Sequence, residues 1–327
     1  MIYSLSNYNQ MIADKVRTAA YNRALRATVK PGSVVVELGS GTGYFAVLAC
    51  KLGARKVYAI EPNKAIETAQ KIAEANGCAD RIEFIHDMST HVTLPEQGDV
   101  ILSDLRGALP FFGGHIPSII DARERLLAPG GVLIPQKDEL FAAFVSSSSV
   151  YAKFSDVAPD DPDAPDMSLM RAPLRNIVTR TDIKASDCVS GPLRIGSIDY
   201  ATVASPTFRS AANWAPVEPT VTHGMCLWFD ATLTEGVGYS SGPFGSDMVY
   251  GRLFFPFAEP IVAEKGDSIS VTFHATLMGS HYVWRWNTLV TTPDGSIKAD
   301  FRQSNFESFS GDSASVASPV AEVVAGN

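Results

Sequence analysis

The spacing of hydrophobic positions changes near residue 138, and the change divides the chain. From residue 10 to 28, Met11, Ile12, Val16, Ala19, Ala20 and Leu25 fall at helical spacing and predict an N-terminal helix, stopped by Pro31-Gly32. Continuous apolar runs then alternate with helical segments. Val34 to Leu38 is followed by a helix from Phe45 to Leu52, and Val57 to Ile60 by a helix that Asn63 caps and Gly77 ends. Arg81 to Ile85, Asp99 to Asp104 and Val132 to Pro135 are three further strands, with a helix over 117–128 stopped by Pro129-Gly130-Gly131. Strands apolar on both faces and separated by helices predict a parallel sheet covered on both sides. Beyond residue 138 the period becomes two. Phe141 to Tyr151, Leu193 to Val203, Val221 to Leu233, Val249 to Phe257, Ser268 to Leu277, Tyr282 to Thr291 and Ser296 to Arg302 read as strands of an antiparallel barrel or sandwich. The clearest sets Ile269, Val271, Phe273, Ala275 and Leu277 on one face and Ser270, Thr272, His274 and Thr276 on the other, which makes His274 a solvated residue.

The first βαβ unit carries the chemistry. Its turn reads Gly39-Ser40-Gly41-Thr42-Gly43, and the following strand ends in Glu61, whose two oxygens suit two ribose hydroxyls. A dinucleotide fingerprint places Gly or Ala three residues after the second glycine, where this chain has Tyr44. Glu37 precedes the turn. It would repel a pyrophosphate and attract the ammonium of S-adenosylmethionine (SAM), so a SAM site is expected rather than NAD or an empty turn. Ligands of open α/β sheets lie beyond the carboxyl ends of the strands, where Glu37, Glu61, Asp87 and Asp104 would converge. Asp87 suits the adenine amino group, with Met88 on the ring, or it caps a helix. Arg17 either reaches the SAM carboxylate or pairs with Asp14 three residues away. The expected organisation is an α/β fold with an N-terminal helical cap (1–30) and a Rossmann-like SAM-binding domain (31–138). A β-barrel substrate domain (139–307) and a loose, small and polar tail (308–327) complete it.

Composition narrows the classes. The 327 residues, 46% hydrophobic and 19% charged, suffice for two cores. No apolar run is long enough to span a bilayer and the N-terminus lacks a basic and apolar leader pattern, so a cytoplasmic location is expected. The four cysteines are dispersed and the six histidines share no ligand spacing, which predicts no metal site and no disulfide framework. A net charge of −8 disfavours nucleic acid and anionic membranes as partners. Ser155 to Asp166 is an acidic, proline-containing loop, best read as solvated. Met167 to Leu174 then presents several large apolar side chains in a short arm (near 155–180), which calls for a partner surface and predicts self-association.

From Met11-Ile12-Ala13-Asp14-Lys15-Val16-Arg17-Thr18, through the glycine turn, to Met225-Cys226-Leu227-Trp228-Phe229-Asp230, the chain resembles the protein arginine methyltransferase family. The resemblance implies that Met11 and Arg17 approach SAM, with Arg17 on its carboxylate. It places Glu37 and the turn Gly39, Gly41 and Gly43 on the amino acid portion, Glu61 and Pro62 at the ribose, and Asp87 and Met88 at the adenine. It also implies a head-to-tail homodimer through the arm. The acceptor side departs from the family. Of the two glutamates that grip the guanidinium in arginine-methylating members, the first matches Asp104 and the second falls on Gly113, while the Thr-His-Trp loop maps to Met248-Val249-Tyr250. One short carboxylate cannot reproduce a two-carboxylate grip on a planar cation. The expectation is therefore a SAM-dependent methyltransferase with a changed acceptor, a small molecule or an unusual peptide group. Asp104 would orient or deprotonate that acceptor, with Tyr250 and His115 behind it; their bland alternatives are a capping acid, a barrel aromatic and a loop histidine. An arginine methyltransferase with a divergent site, a SAM-binding protein without turnover and a nicotinamide oxidoreductase are the competing readings.

Overall fold

Val34–Leu38 (β1) is buried at every position because it is hydrogen-bonded on both edges and covered on both faces, which is why its sequence does not alternate. The computed structural model describes residues 3–156 and 163–306. The expected loose tail (308–327), residues 1–2 and the centre of the acidic loop (157–162) lie outside the described residues.

Two helices precede β1. Leu5–Ala13 (α1) starts from a reciprocal capping box between Ser4 and Asn7, and Lys15–Thr28 (α2) starts from Asp14, whose side chain accepts from the Arg17 N–H at 3.0 Å. The single helix expected over 10–28 is thus broken, because the Asp14 cap satisfies the first turn of a new helix while its backbone is extended (φ −65°, ψ 102°). Next come Tyr44–Lys51 (α3), Lys56–Ile60 (β2), Ala65–Ala75 (α4), Ile82–Ile85 (β3), Gly98–Ser103 (β4), His115–Arg125 (α5) and Leu127–Ile134 (β5). The five strands form a parallel sheet in the order β3-β2-β1-β4-β5. The order reverses beside β1, so the strand ends of β1, β2 and β4 open a crevice there.

The remaining strands are Lys137–Val145 (β6), Thr179–Thr181 (β7), Leu193–Asp199 (β8), Phe208–Trp214 (β9), Thr220–Thr234 (β10), Val237–Ser240 (β11), Arg252–Ala263 (β12), Ser268–Met278 (β13), His281–Thr291 (β14) and Ile297–Ser304 (β15). One sheet runs β7-β12-β10-β6-β8 with β11 beside β10, and the other runs β15-β14-β13-β9. Their inner faces meet through rings: Phe255 contacts Phe273, Trp284 and Trp286 edge-on, and Phe144 stacks on Trp214. The architecture is a two-sheet antiparallel, barrel-like domain.

The strand expected over 141–151 ends at Val145, and Ser148–Ser155 forms a helix (α6) that buries Val150, Tyr151 and Phe154. Strands β7, β9 and β11 went unread: two are only three or four residues long, and β9 alternates on small or half-buried residues that carry little hydrophobic signal. His274 is half-buried rather than fully solvated, with Nε2 3.3 Å from Arg209 Nε. In the arm, Arg171–Leu174 (α7) follows a short 3₁₀ turn, and Leu169 is 90% exposed, with Met167, Met170 and Ile177 exposed around it. Among the described residues no helix is long and apolar enough to cross a membrane, and no group of His, Cys, Asp and Glu is arranged to hold a metal ion.

Candidate functional site

A cavity of about 900 Å³ opens at the carboxyl ends of β1, β2 and β4, roofed by α1 and bordered by the β10–β12 region. At one end lies the glycine turn. Gly39 and Gly41 have φ of 72° and 54°, and a Cβ at either would meet Leu105 Cδ2 at 2.4 Å or Tyr8 Cε1 at 2.6 Å. Gly43 serves the fold instead. It caps α3 in the left-handed region and packs on Ala69, away from the cavity lining. Glu61 is held from two sides, Oε2 accepting from the Gly41 N–H at 2.7 Å and Oε1 from the Asn63 N–H at 2.8 Å. Burial raises its pKa against these bonds, and each oxygen keeps a lone pair for a further donor.

Glu37 differs from Glu61 in one respect that matters. It lines the cavity, is only 4% exposed, and its Oε2 has no hydrogen-bond partner among the described residues. Burial pushes its pKa up to about 8, the Ala46 N–H opposing and Glu61 adding to the rise. A buried, unpartnered carboxylate oxygen beside a second acid fits a cationic ligand and excludes a pyrophosphate. Together with Glu61, whose two oxygens can each take a further donor, and a backbone turn, the residues present fit SAM.

At the other end the one lining carboxylate is already paired, while His115 Nδ1 is buried without a partner among the described residues. Asp104, just past β4, receives Arg17 Nε at 2.6 Å and the Tyr250 hydroxyl at 2.7 Å on Oδ2, and Arg106 Nε at 3.1 Å on Oδ1. Arg106 continues inward, donating to Asp138 Oδ1 at 2.7 Å and to the hydroxyls of Tyr21 and Tyr239. Tyr200 donates to Asp138 Oδ2 at 2.5 Å and meets His115 Nε2 at 2.9 Å. Burial alone would raise the Asp104 pKa, but Arg17 and Arg106 overcome it and hold the carboxyl down to about 2. Burial, with Arg106 adding, lowers His115 to about 3, and burial beside Asp104 pushes the Tyr250 phenol well above its ordinary value.

Met11, Arg17, Glu37, Gly39, Gly41, Glu61, Pro62, Met88, Asp104, His115 and Tyr250, all expected at the site, line this cavity. Asp87 does not. Its carboxylate accepts from the Met88 N–H at 2.6 Å and meets His91 at 3.0 Å, the contacts of the capping alternative. Arg17 donates Nη1 to the Met11 carbonyl at 3.1 Å and Nε to Asp104, so its guanidinium spans the two ends. Of the two roles expected of Asp104, orienting fits this pairing, because a carboxylate held by two guanidiniums binds a proton only in strong acid. The sequence reading missed Arg106, Asp138, Tyr200 and Tyr239, and with them Tyr3 and Tyr8, which α1 brings over the cavity. An arginine set between Leu105 and Gly107 in an otherwise apolar loop was the available signal.

A family model described as ribosomal protein L11 methyltransferase (PrmA) matches residues 17–143. The chain is 30% identical over 256 residues to protein arginine N-methyltransferase 6 of Danio rerio, covering 73% of each protein. It is 27% identical over 281 residues to protein arginine N-methyltransferase 6 of Xenopus tropicalis, covering 81% of this chain and 82% of that one. Among solved structures, Arabidopsis thaliana protein arginine methyltransferase 10 superposes with a TM-score of 0.77 at 22% identity, over 92% of this chain and 97% of that one. The Trypanosoma brucei PRMT1 enzyme-prozyme heterotetrameric complex with AdoHcy gives 0.80 at 20% identity, over 90% and 97%.

Proposed function

The chain belongs to the protein arginine N-methyltransferase family and is a SAM-dependent methyltransferase, and we propose that its acceptor is not an unmodified arginine side chain. One observation carries this reading. The carboxylates lining the cavity are Glu37, Glu61 and Asp104; the first two stand at the cofactor end, and both oxygens of Asp104 are taken by Arg17, Arg106 and Tyr250. An incoming guanidinium would have to displace an internal one to find a carboxylate, and Gly113 offers no second acid.

SAM supplies the activated methyl group. In this proposal Glu37 takes the ammonium, Glu61 the ribose, Met88 the adenine face, and Arg17 the carboxylate while it remains on Asp104. Asp104 is then a positioning residue that fixes Arg17 and the Tyr250 hydroxyl. Neither it nor His115 nor Tyr250 accepts a proton near neutral pH, so the acceptor arrives with its nucleophilic lone pair free or loses its proton to water. Orientation of the two reactants supplies most of the rate. Self-association through the exposed arm belongs to the same proposal. Replacing Leu169 and Met170 together by Glu should then lower the sedimentation coefficient.

The arginine N-methyltransferase relatives favour the second reading, an arginine methyltransferase gripping its substrate with other groups. Labelled SAM, a Gly-Arg-rich peptide and core histones separate the two. We expect S-adenosylhomocysteine (SAH) to bind and no methylarginine to appear by mass spectrometry; a robust methylarginine product would establish the second reading.

A further inference from the structure

The acceptor end contains a cation that its buried ion pairs do not neutralise. Arg17 and Arg106 are balanced by Asp104 and Asp138, two positive groups against two negative ones. Arg180 stands beyond that balance. It lies in the edge strand β7, where Arg180 pairs with Leu253 of β12, lines the cavity, and makes no ion pair among the described residues. Its placement is built into the backbone. Gly251, next to Tyr250 and at φ 64°, leaves the space its side chain crosses, and a Cβ there would meet Arg180 Nε at 2.6 Å and Cγ at 2.9 Å. The Tyr3 phenol, also lining the cavity, lies in the fields of both Asp104 and Arg180, so the arginine faces the acceptor end rather than open solvent alone.

Resting on the reading that the acceptor is not an arginine, we propose that Arg180 selects an anionic acceptor, one whose carboxylate pairs with this guanidinium. The rest of the acceptor extends among Phe111, Phe112 and Tyr250 toward Asp104. A free guanidinium presents a planar pair of donors that matches a carboxylate and adds positive potential at the mouth. A cationic acceptor would be repelled by it.

Calorimetry on the full chain saturated with SAH tests this with two planar probes of opposite charge, benzoate and benzamidinium, at matched ionic strength. Benzoate should bind at least about tenfold more tightly than benzamidinium, the scale of one charge-assisted pair. Arg180→Glu should reverse the order, and Arg180→Lys should keep it with a smaller gap. SAH affinity should stay within about twofold in both variants, which also reports that they fold. The proposal is overturned if benzoate does not bind, if benzamidinium binds as well or better, or if Arg180→Glu leaves the order unchanged. Failure of SAH itself to bind would overturn the proposed function instead.

Discussion

The two ends of the cavity are built from the same residue types and are in opposite states. At the cofactor end Glu37 is buried with an oxygen unused, and burial holds its pKa near 8. At the acceptor end the Asp104 side chain is 8% exposed, yet two guanidiniums hold its pKa near 2. An unpaired buried acid stores a cost that a cationic ligand can relieve, whereas an acid already paired has little left to offer a ligand. In the proposed function, recognition of a positive charge is kept for the cofactor and closed off for the acceptor.

Breaking the paired end should have the largest effect. Arg106→Leu would leave Asp138 buried without its cation and remove one of the two guanidiniums on Asp104, so stability should fall by about 3–5 kcal/mol. Denaturant unfolding measures it. Pairing the change with Asp138→Leu should recover part of the loss, since two apolar groups replace two buried charges, and a double variant no better than the single one would show that the pair is not energetically coupled.

At the open end the expected effect is on binding. Glu61→Ala removes an acceptor from the Gly41 and Asn63 N–H groups and from the nucleoside, and should weaken SAH by about 1–3 kcal/mol in a titration. If affinity held while stability fell, Glu61 would be a brace for the turn and not a ligand contact.

The pH dependence of Glu37 sharpens the comparison further. Its folded pKa, about 8, lies above its unfolded value, so the folded protein retains a proton that the unfolded chain has released. The stability this group contributes is full below about pH 4.5 and is lost as pH rises to about 8. Binding an ammonium would ionise it, so SAH should release about one proton at pH 7, seen as a binding enthalpy that varies with the buffer's ionisation heat. Glu37→Gln should abolish that variation. Asp104, already ionised, should contribute none.

The cofactor end was legible in the sequence because its signals are local: Glu37 and the glycines share one turn, and Glu61 ends the next strand, so spacing alone places them together. The acceptor end is assembled from Arg17, Asp104, Asp138, Tyr200, Tyr239 and Tyr250, spread over more than two hundred residues and joined only by tertiary packing. Nothing in the spacing of Arg106 predicts that it turns inward to Asp138. The parallel sheet was readable from its continuous apolar strands, while β9 was lost because small residues such as Ala211 and Ala212 blur the alternation. Asp87 is open to two readings in the sequence, since a carboxylate at a strand end has a local use, capping, that no long-range pattern distinguishes from ligand binding.

Asp14 joins two groups of the acceptor end and gives the smallest of the expected effects. Its Oδ1 caps α2 at the Arg17 N–H, and its Oδ2 accepts from the Val249 N–H at 2.8 Å, next to Tyr250. One side chain thus positions the backbone of Arg17 and the backbone beside Tyr250, the two groups that meet on Asp104 Oδ2. Asp14→Ala should lower stability by about 0.5–2 kcal/mol, the usual loss of a helix cap, since water can replace part of what is removed. Asp14→Asn has a single carbonyl oxygen, so it keeps either the cap or the Val249 contact and not both, and its stability should fall between that of the unaltered chain and that of Asp14→Ala. A loss well above that range for Ala would mean that the Val249 contact holds the acceptor wall in place and that the break between α1 and α2 serves the site as much as the helix.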